Sequence, residues 1–323
     1  MVTDPEVLSR LNLRGSGFVS QASTQPSKDQ VRILAIGGLG GEFLAPAFVG
    51  NYLKAMSTAW RRLWPNSEFR ILQPTIAQSM DVAAELIATE LSAQPDSSCI
   101  LFGHSKGGVD ILECLVRYPE VRGKIHSAIL ANSPLQGSWV ADFLRDQARQ
   151  LPLFRWTGLL HAARAAGWSW SALLDVTTER RQEFWTQQWD VLPFAERQQI
   201  ASLLTILTCR HERSRQAAWP IILPHWLMQQ RGIPNDGLVA TASQRPPLRP
   251  EFARTRMLTW SQHHGYLTCS STLSRITDLE RTELLRQLTQ AGASEAVRRV
   301  RFPISQRPRR AGEISELEHA HSI

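Results

Sequence analysis

The chain has few cysteines and no long apolar run, and these absences exclude several classes of protein. Its 323 residues include four cysteines, none of them in a Cys-x-x-Cys pair, so neither a disulfide framework nor a zinc site is indicated. No run reaches the ~18 apolar residues that a membrane span requires. Residues 1–30 contain no apolar stretch typical of a secretory signal peptide. We therefore expect a cytoplasmic protein, with secretion by another route left open, that uses no metal and no cofactor.

The charge is moderately basic, and much of the excess is local. The net charge is +7, from 36 Lys and Arg against 29 Asp and Glu. No RNA-binding signature or recognition-helix pattern accompanies this charge, so no nucleic-acid partner is expected. We interpret residues 292–323 as a flexible, solvated tail, and peripheral contact with an anionic membrane is the alternative. The local excess consists of Arg298, Arg299, Arg301, Arg307, Arg309 and Arg310.

Strand-like apolar runs alternate with helical segments along most of the chain. This alternation predicts a mostly parallel central sheet flanked by helices, built from 31–137 and 200–291. Residues 1–30 are predicted to form a loose N-terminal segment. Between 138 and 199 the alternation stops, and the segment is helical in character and rich in Trp and Phe. It is predicted to be a cap or lid over an apolar substrate site, or a helical subdomain that uses these aromatics as core.

The most informative motif is the hexapeptide Gly-His-Ser-Lys-Gly-Gly at 103–108. It follows the apolar run 99–102, which is typical of a buried strand, and precedes the helical segment 109–116. A Gly-x-Ser-x-Gly between a strand and a helix is typical of the nucleophile elbow of α/β-hydrolases. On so tight a turn, larger residues two positions either side of the serine would clash with strand and helix. Ser105 is therefore the candidate nucleophile.

A catalytic serine needs a base and an orienting acid, and in this fold they follow in the order Ser, Asp or Glu, His. Asp236 is the only aspartate between 191 and 277, and it lies in the turn sequence Asn-Asp-Gly. An adjacent histidine pair follows the predicted strand 256–260. We favour His264 as the base, because Leu267, three residues later, would anchor the following helix. His263 is the alternative base.

Ester chemistry also requires donors for the oxyanion that forms at the carbonyl. One candidate is the backbone N–H of Lys106, the residue after the nucleophile. The other is the N–H of Leu39, within the run Gly-Gly-Leu-Gly-Gly at 37–41. A phosphate-binding loop is the rival interpretation of this run. It lacks the Lys-Ser/Thr ending of a P-loop and the Gly-x-Gly-x-x-Gly spacing of a dinucleotide site.

Four segments of the chain resemble bacterial triacylglycerol lipases and esterases of the α/β-hydrolase superfamily. The hexapeptide 103–108 matches their Gly-His-Ser-x-Gly-Gly, and Ser-Pro-Leu-Gln-Gly-Ser-Trp-Val-Ala-Asp at 133–142 is similar to their Thr-Pro-His-x-Gly-Ser-x-x-Ala-Asp. Leu-Asp-Val-Thr-Thr-Glu at 174–179 resembles a segment of their lid region. Asn-Asp-Gly-Leu-Val at 235–239 matches the segment that carries their catalytic aspartate. The likeness spans roughly 31 to 275.

The resemblance implies an α/β-hydrolase fold and a serine ester hydrolase that acts on a lipid or another apolar ester through an acyl-enzyme. An acyltransferase or thioesterase would use the same triad, and a catalytically idle protein that binds lipid or a partner is a further alternative. Such lipases often hold calcium through an aspartate two residues beyond the catalytic histidine. Here that position is Tyr266, or Gly265 if His263 is the base, so calcium is not implied.

Overall fold

A parallel β-sheet runs through the part of the chain that the computed structural model describes. Within that part the strand order is β2-β1-β3-β4-β5-β6-β7, and all neighbouring pairs are parallel. The strands are Val31–Ile36 (β1), Glu68–Leu72 (β2), Ser98–His104 (β3), Ile125–Ala131 (β4), Leu204–Cys209 (β5), Arg256–Trp260 (β6) and the two-residue Arg299–Val300 (β7). The described residues are 31–38, 53–65, 67–72, 79–93, 98–150, 170–211, 222–264, 276–289 and 299–300.

Helices connect the strands and cover both faces of the sheet. Leu101 packs in one core cluster with residues of α2 and α3. The ring of its neighbour Phe102 packs edge-on against Trp60 of α1 instead, with the ring centroids 6.5 Å apart. Since successive strand residues point to opposite faces, these helices lie on opposite sides. The helices are Lys54–Leu63 (α1), Met80–Ser92 (α2), Lys106–Arg117 (α3), Trp139–Gln150 (α4), Trp170–Leu174 (α5), Thr178–Glu183 (α6), Phe194–Leu203 (α7), Ile222–Gln230 (α8) and Asp278–Thr289 (α9).

Shorter helical turns join these elements. Pro119–Lys124 and Pro250–Arg254 are 3₁₀ turns, and Phe184–Trp189 is a π-helical turn that continues α6. None of the helices among the described residues is long and apolar enough to cross a bilayer.

The described parts of 138–199 are largely helical, and three of their aromatics belong to the core. Phe184, Trp185 and Trp189 are almost fully buried and pack in the same cluster as α2 and α3. The indole N–H of Trp185 donates to the carbonyl of Leu135 at 2.8 Å, which satisfies its polar atom. These three residues pack in the core, which is compatible with a cap as well as with a helical subdomain. A lid function stays a prediction, and 151–169 lie outside the described residues.

The predicted terminal segments also lie outside the described residues, apart from Arg299–Val300. The loose character of 1–30 and the membrane contact of the basic tail therefore stay predictions.

Candidate active site

Ser105 lies at the carboxyl end of β3, on the turn that begins α3. Its backbone has φ 57° and ψ −125°, a region that non-glycine residues rarely adopt. A Cβ added to Gly103 would lie 2.6 Å from the backbone nitrogen of Gly108, and one added to Gly107 would lie 2.6 Å from the carbonyl oxygen of Gly37. The tightness of the turn thus explains the glycines on either side of the serine.

Because of this backbone strain, Ser105→Gly is expected to be more stable than Ser105→Ala. Glycine accepts this conformation without steric cost, and strained positions of this kind cost of order 1–3 kcal/mol. After the extra chain entropy of glycine, we expect a gain of about 1 kcal/mol in the free energy of unfolding, measured by urea denaturation. The control is Ser202 in α7, where Gly should instead be less stable than Ala by about 0.5–1 kcal/mol. Equal stabilities at position 105 would show that the turn is unstrained.

Gly38, which follows β1, lies directly against the serine side chain. A Cβ added to Gly38 would lie 2.5 Å from Cβ of Ser105 and 3.0 Å from its Oγ, so only a residue without a side chain fits there. The predicted oxyanion donor Leu39 follows at once but lies outside the described residues. The other predicted donor, Lys106, is the first residue of α3. The first N–H groups of a helix have no intrahelical acceptor and favour negative charge.

Asp236 is fully buried in the turn between α8 and the chain that leads to β6. Its Oδ1 accepts hydrogen bonds from the backbone N–H groups of Leu238 at 3.0 Å and Val239 at 2.8 Å. Its Oδ2 accepts from Nδ2 of Asn132 at 3.0 Å and from Nδ1 of His264 at 2.8 Å. Burial by itself raises the pKa of Asp236, but His264 and these donors outweigh it and hold the pKa below its usual value.

His264 is oriented by Asp236 through both its ring and its backbone. Since a carboxylate oxygen only accepts, Nδ1 of His264 carries the hydrogen of the 2.8 Å bond. This tautomer leaves Nε2 with a lone pair. The backbone N–H of His264 also donates to the carbonyl of Asp236 at 2.8 Å. The structure therefore brings the predicted acid and base together in the geometry that a catalytic dyad needs.

His104, the residue before Ser105, has its ring centroid 4.8 Å from that of His264. Among the described residues, no hydrogen bond joins Oγ of Ser105 to the His264 ring. In sites without substrate, catalytic hydrogen bonds are often long.

His104 also holds the His264 loop, a contact that the sequence reasoning missed. Its Nε2 lies 2.8 Å from the carbonyl oxygen of His264, and because a carbonyl only accepts, Nε2 is the donor. Burial, reinforced by the neighbouring His264, lowers the pKa of His104 to about 3. His104 is therefore neutral near pH 7 and acts as a hydrogen-bond donor. Its position immediately before the serine was the only signal in the sequence.

Asn132 was likewise not predicted. This residue follows β4 with φ 55° and is 2% exposed. Its amide donates to Asp236, while its Oδ1 accepts from the thiol of Cys209 at 3.5 Å. The Asn132 amide is thus fixed at both ends and helps to orient the Asp236 carboxylate. Asparagine also suits the backbone here, because it is enriched among non-glycine residues with positive φ.

The structure gives the alternative base, His263, a different environment. Its ring lies edge-on to that of His211, with the centroids 6.2 Å apart. Burial, followed by the neighbouring His211, lowers the pKa of His263 to about 4. Asp236 hydrogen bonds the ring of His264 instead, which favours His264 as the base.

Comparison with known proteins gave matches for the structure but none for the sequence against family models and curated proteins. No protein-family model matches the sequence, and no curated protein matches it. Among solved structures, the mature Bacillus licheniformis lipase BlEst2 is similar, with 19% identity, a TM-score of 0.56, and 82% of this chain and 96% of that chain covered. The metagenomic carboxyl esterase MGS0156 is 17% identical with a TM-score of 0.58, covering 82% of this chain and 79% of its own. The Staphylococcus hyicus lipase is 13% identical with a TM-score of 0.54, covering 84% of this chain and 97% of its own.

The parallel sheet, its helical layers and these similarities define the α/β-hydrolase fold, which confirms the predicted fold class. The three structures just described are those of two bacterial lipases and a carboxyl esterase, in agreement with the resemblance that the motifs indicated.

Proposed function

We propose that this protein is a serine ester hydrolase that cleaves esters of apolar acyl groups through an acyl-enzyme. The observation that carries the proposal is the buried hydrogen bond between Asp236 and His264, at the edge of the sheet where Ser105 lies on its strained turn. The bond commits the Nδ1 proton of His264 to the acid, so Nε2 is the ring atom free to act as a base. The low pKa of Asp236 keeps it charged near neutral pH.

The first half of the reaction acylates the serine. Oγ of Ser105 attacks the ester carbonyl carbon while Nε2 of His264 takes the hydroxyl proton. Asp236 stabilises the imidazolium that forms and holds it in one orientation. The carbon–oxygen bond to the alcohol then breaks, and His264 returns the proton to the departing oxygen.

The second half repeats these steps with water. His264 takes a proton from a water molecule, the hydroxide attacks the acyl carbonyl, and Ser105 leaves with the proton from His264. In both halves the charge on the carbonyl oxygen is stabilised by the N–H of Lys106 and by the loop after β1, for which Leu39 is our candidate. The close approach of Gly38 to Ser105 supports a donor from that loop.

The proposal is tested with a fluorophosphonate probe and a series of p-nitrophenyl esters from acetate to palmitate. We expect one probe per chain, located on Ser105 by mass spectrometry, because only an activated serine reacts readily. We also expect ester hydrolysis that the probe abolishes. The chain length with the highest kcat/KM then separates a short-chain esterase from a lipase.

Heat-denatured protein is the control, since it retains every serine but no active site. Labelling of a different residue, or of both samples equally, would contradict the proposal. A folded protein that is neither labelled nor active would favour the interpretation as a binding protein. Labelling at Ser105 with acyl transfer to an added alcohol or thiol, but not to water, would favour an acyltransferase.

A further inference from the structure

The side chain of Lys106 is buried in a group of charged residues that the proposed mechanism does not use. Lys106 is 1% exposed, and its Nζ donates to Oδ1 of Asp110, one turn along α3, at 2.6 Å. The same Nζ lies 3.7 Å from Oδ2 of Asp175, which belongs to the segment just after α5. A buried ammonium group is costly unless it is paired in this way.

Asp175 makes a second contact that fixes its place. Its Oδ2 accepts a hydrogen bond from the backbone N–H of Met80, the first residue of α2, at 2.6 Å. The N-cap residue of α2, Ser79, makes no side-chain capping bond of its own. Asp175 therefore replaces the missing cap from a residue 95 positions away. One carboxylate joins the segment 170–189 to the start of α2 and to the start of α3.

Two further buried charged residues, Arg181 and Glu113, lie near Lys106, Asp110 and Asp175. Arg181 of α6 is fully buried and interacts with Asp110, Glu113 and Asp175. Burial is the main cause that raises the pKa of Asp110, to about 7, and Lys106 is the main influence that lowers it. Glu113, also fully buried, belongs to the same turn of α3. Segment 170–189 thus contributes one carboxylate, Asp175, and one guanidinium group, Arg181, to a cluster of buried charged residues on α3. Each charged group is stabilised by its partners of opposite charge.

We propose that Lys106, Asp110 and Asp175 form a positioning network that holds the first turn of α3, and with it the oxyanion donor N–H of Lys106, in register with the segment 170–189. The inference rests on the proposed hydrolase function. In that function the backbone of Lys106 touches the reacting carbonyl oxygen, whereas its side chain acts only by fixing the backbone. A preorganised donor is effective because it does not have to move during the reaction, and displacement of reacting groups by about 1 Å is enough to cost up to a hundredfold.

The test is Asp175→Asn, compared with Glu179→Gln. Asparagine retains an oxygen that can accept from Met80 but removes the charge facing Lys106. Glu179 lies on α6 in the same segment, with its side chain 65% exposed and paired with Arg145 at 3.0 Å. Concentrations are expressed per active site, titrated with the fluorophosphonate probe. We expect Asp175→Asn to lower kcat for p-nitrophenyl acetate by about tenfold with KM changed less than about twofold, and Glu179→Gln to match the wild type.

Lys106→Met and the double variant Lys106→Met/Asp175→Asn complete a cycle. If the two side chains act through one network, the double variant is no slower than Lys106→Met alone. If Asp175→Asn lost activity only because fewer active sites could be titrated, with kcat per site unchanged, the positioning network would be overturned. Asp175 would then have a purely structural role. Equal kcat in all four proteins, or additive effects, would also overturn the network. A wild type that is neither labelled nor active would instead overturn the proposed function itself.

Discussion

Replacing Ser105 by Ala is expected to lower kcat/KM for p-nitrophenyl esters by about a millionfold. The variant keeps Asp236, His264 and the oxyanion donors but has no oxygen to form the acyl-enzyme. The remaining rate would come only from substrate binding and from stabilisation of the carbonyl oxygen while water attacks, which in serine hydrolases still gives about 10³–10⁴ over the uncatalysed reaction. Steady-state hydrolysis of the best ester in the chain-length series measures the loss.

Ser202→Ala is the matched control, because it removes the same hydroxyl from an exposed position on α7. There Oγ of Ser202 donates to the carbonyl of Gln199 at 2.7 Å, and Ser202 has no role in the proposed mechanism. This variant should retain wild-type kcat/KM, and circular dichroism should show that both variants are folded. If Ser105→Ala retained more than about one part in a hundred of the activity, another group would be the nucleophile, because loss of a triad serine costs far more than that.

The elements that the sequence predicts well are those whose signals are local. The apolar run before Ser105 and the glycines beside it predict a strand, a tight turn and a helix, and the structure has β3 followed directly by α3. The Asn-Asp-Gly turn is equally local, since Gly237 adopts φ 113° and the Asp236 carboxylate accepts from its own turn. Turn chemistry of this kind is decided by adjacent residues, and it can be read without the rest of the fold.

The contacts that the sequence does not predict join distant residues. Asn132 and Asp236 are 104 positions apart, and His104 and the carbonyl of His264 are 160 apart. The chain order of a catalytic triad excludes His104 as the base but carries no information about a neutral donor that holds the base's loop. The side chain of Lys106 is a similar case. Asp110, four residues later on α3, is a local partner for its ammonium group, but the second carboxylate, Asp175, comes from the distant segment 170–189.

The histidine pair gives the second prediction of large effect, which separates two residues that the sequence left as alternatives. His264→Gln is expected to lower kcat/KM by about 10⁵-fold or more, because glutamine cannot take the proton of Ser105. His263→Gln is expected to stay within about tenfold of the wild type, the range of an indirect disturbance. The reason is geometric. The ring bonded to Asp236 at 2.8 Å is that of His264, and only its Nε2 is left unprotonated by that bond.

Glutamine serves both positions, since it is similar in length to histidine and leaves no large cavity, so each variant is the control for the other. The rate of labelling by the fluorophosphonate probe gives a second readout, because it depends on activation of Ser105 and not on release of product. It should fall in His264→Gln and persist in His263→Gln. The opposite result would make His263 the base and require that Asp236 turn to it when substrate binds. A large loss in both variants, with both proteins folded, would mean that the edge-on pair of His211 and His263 is also required to orient His264.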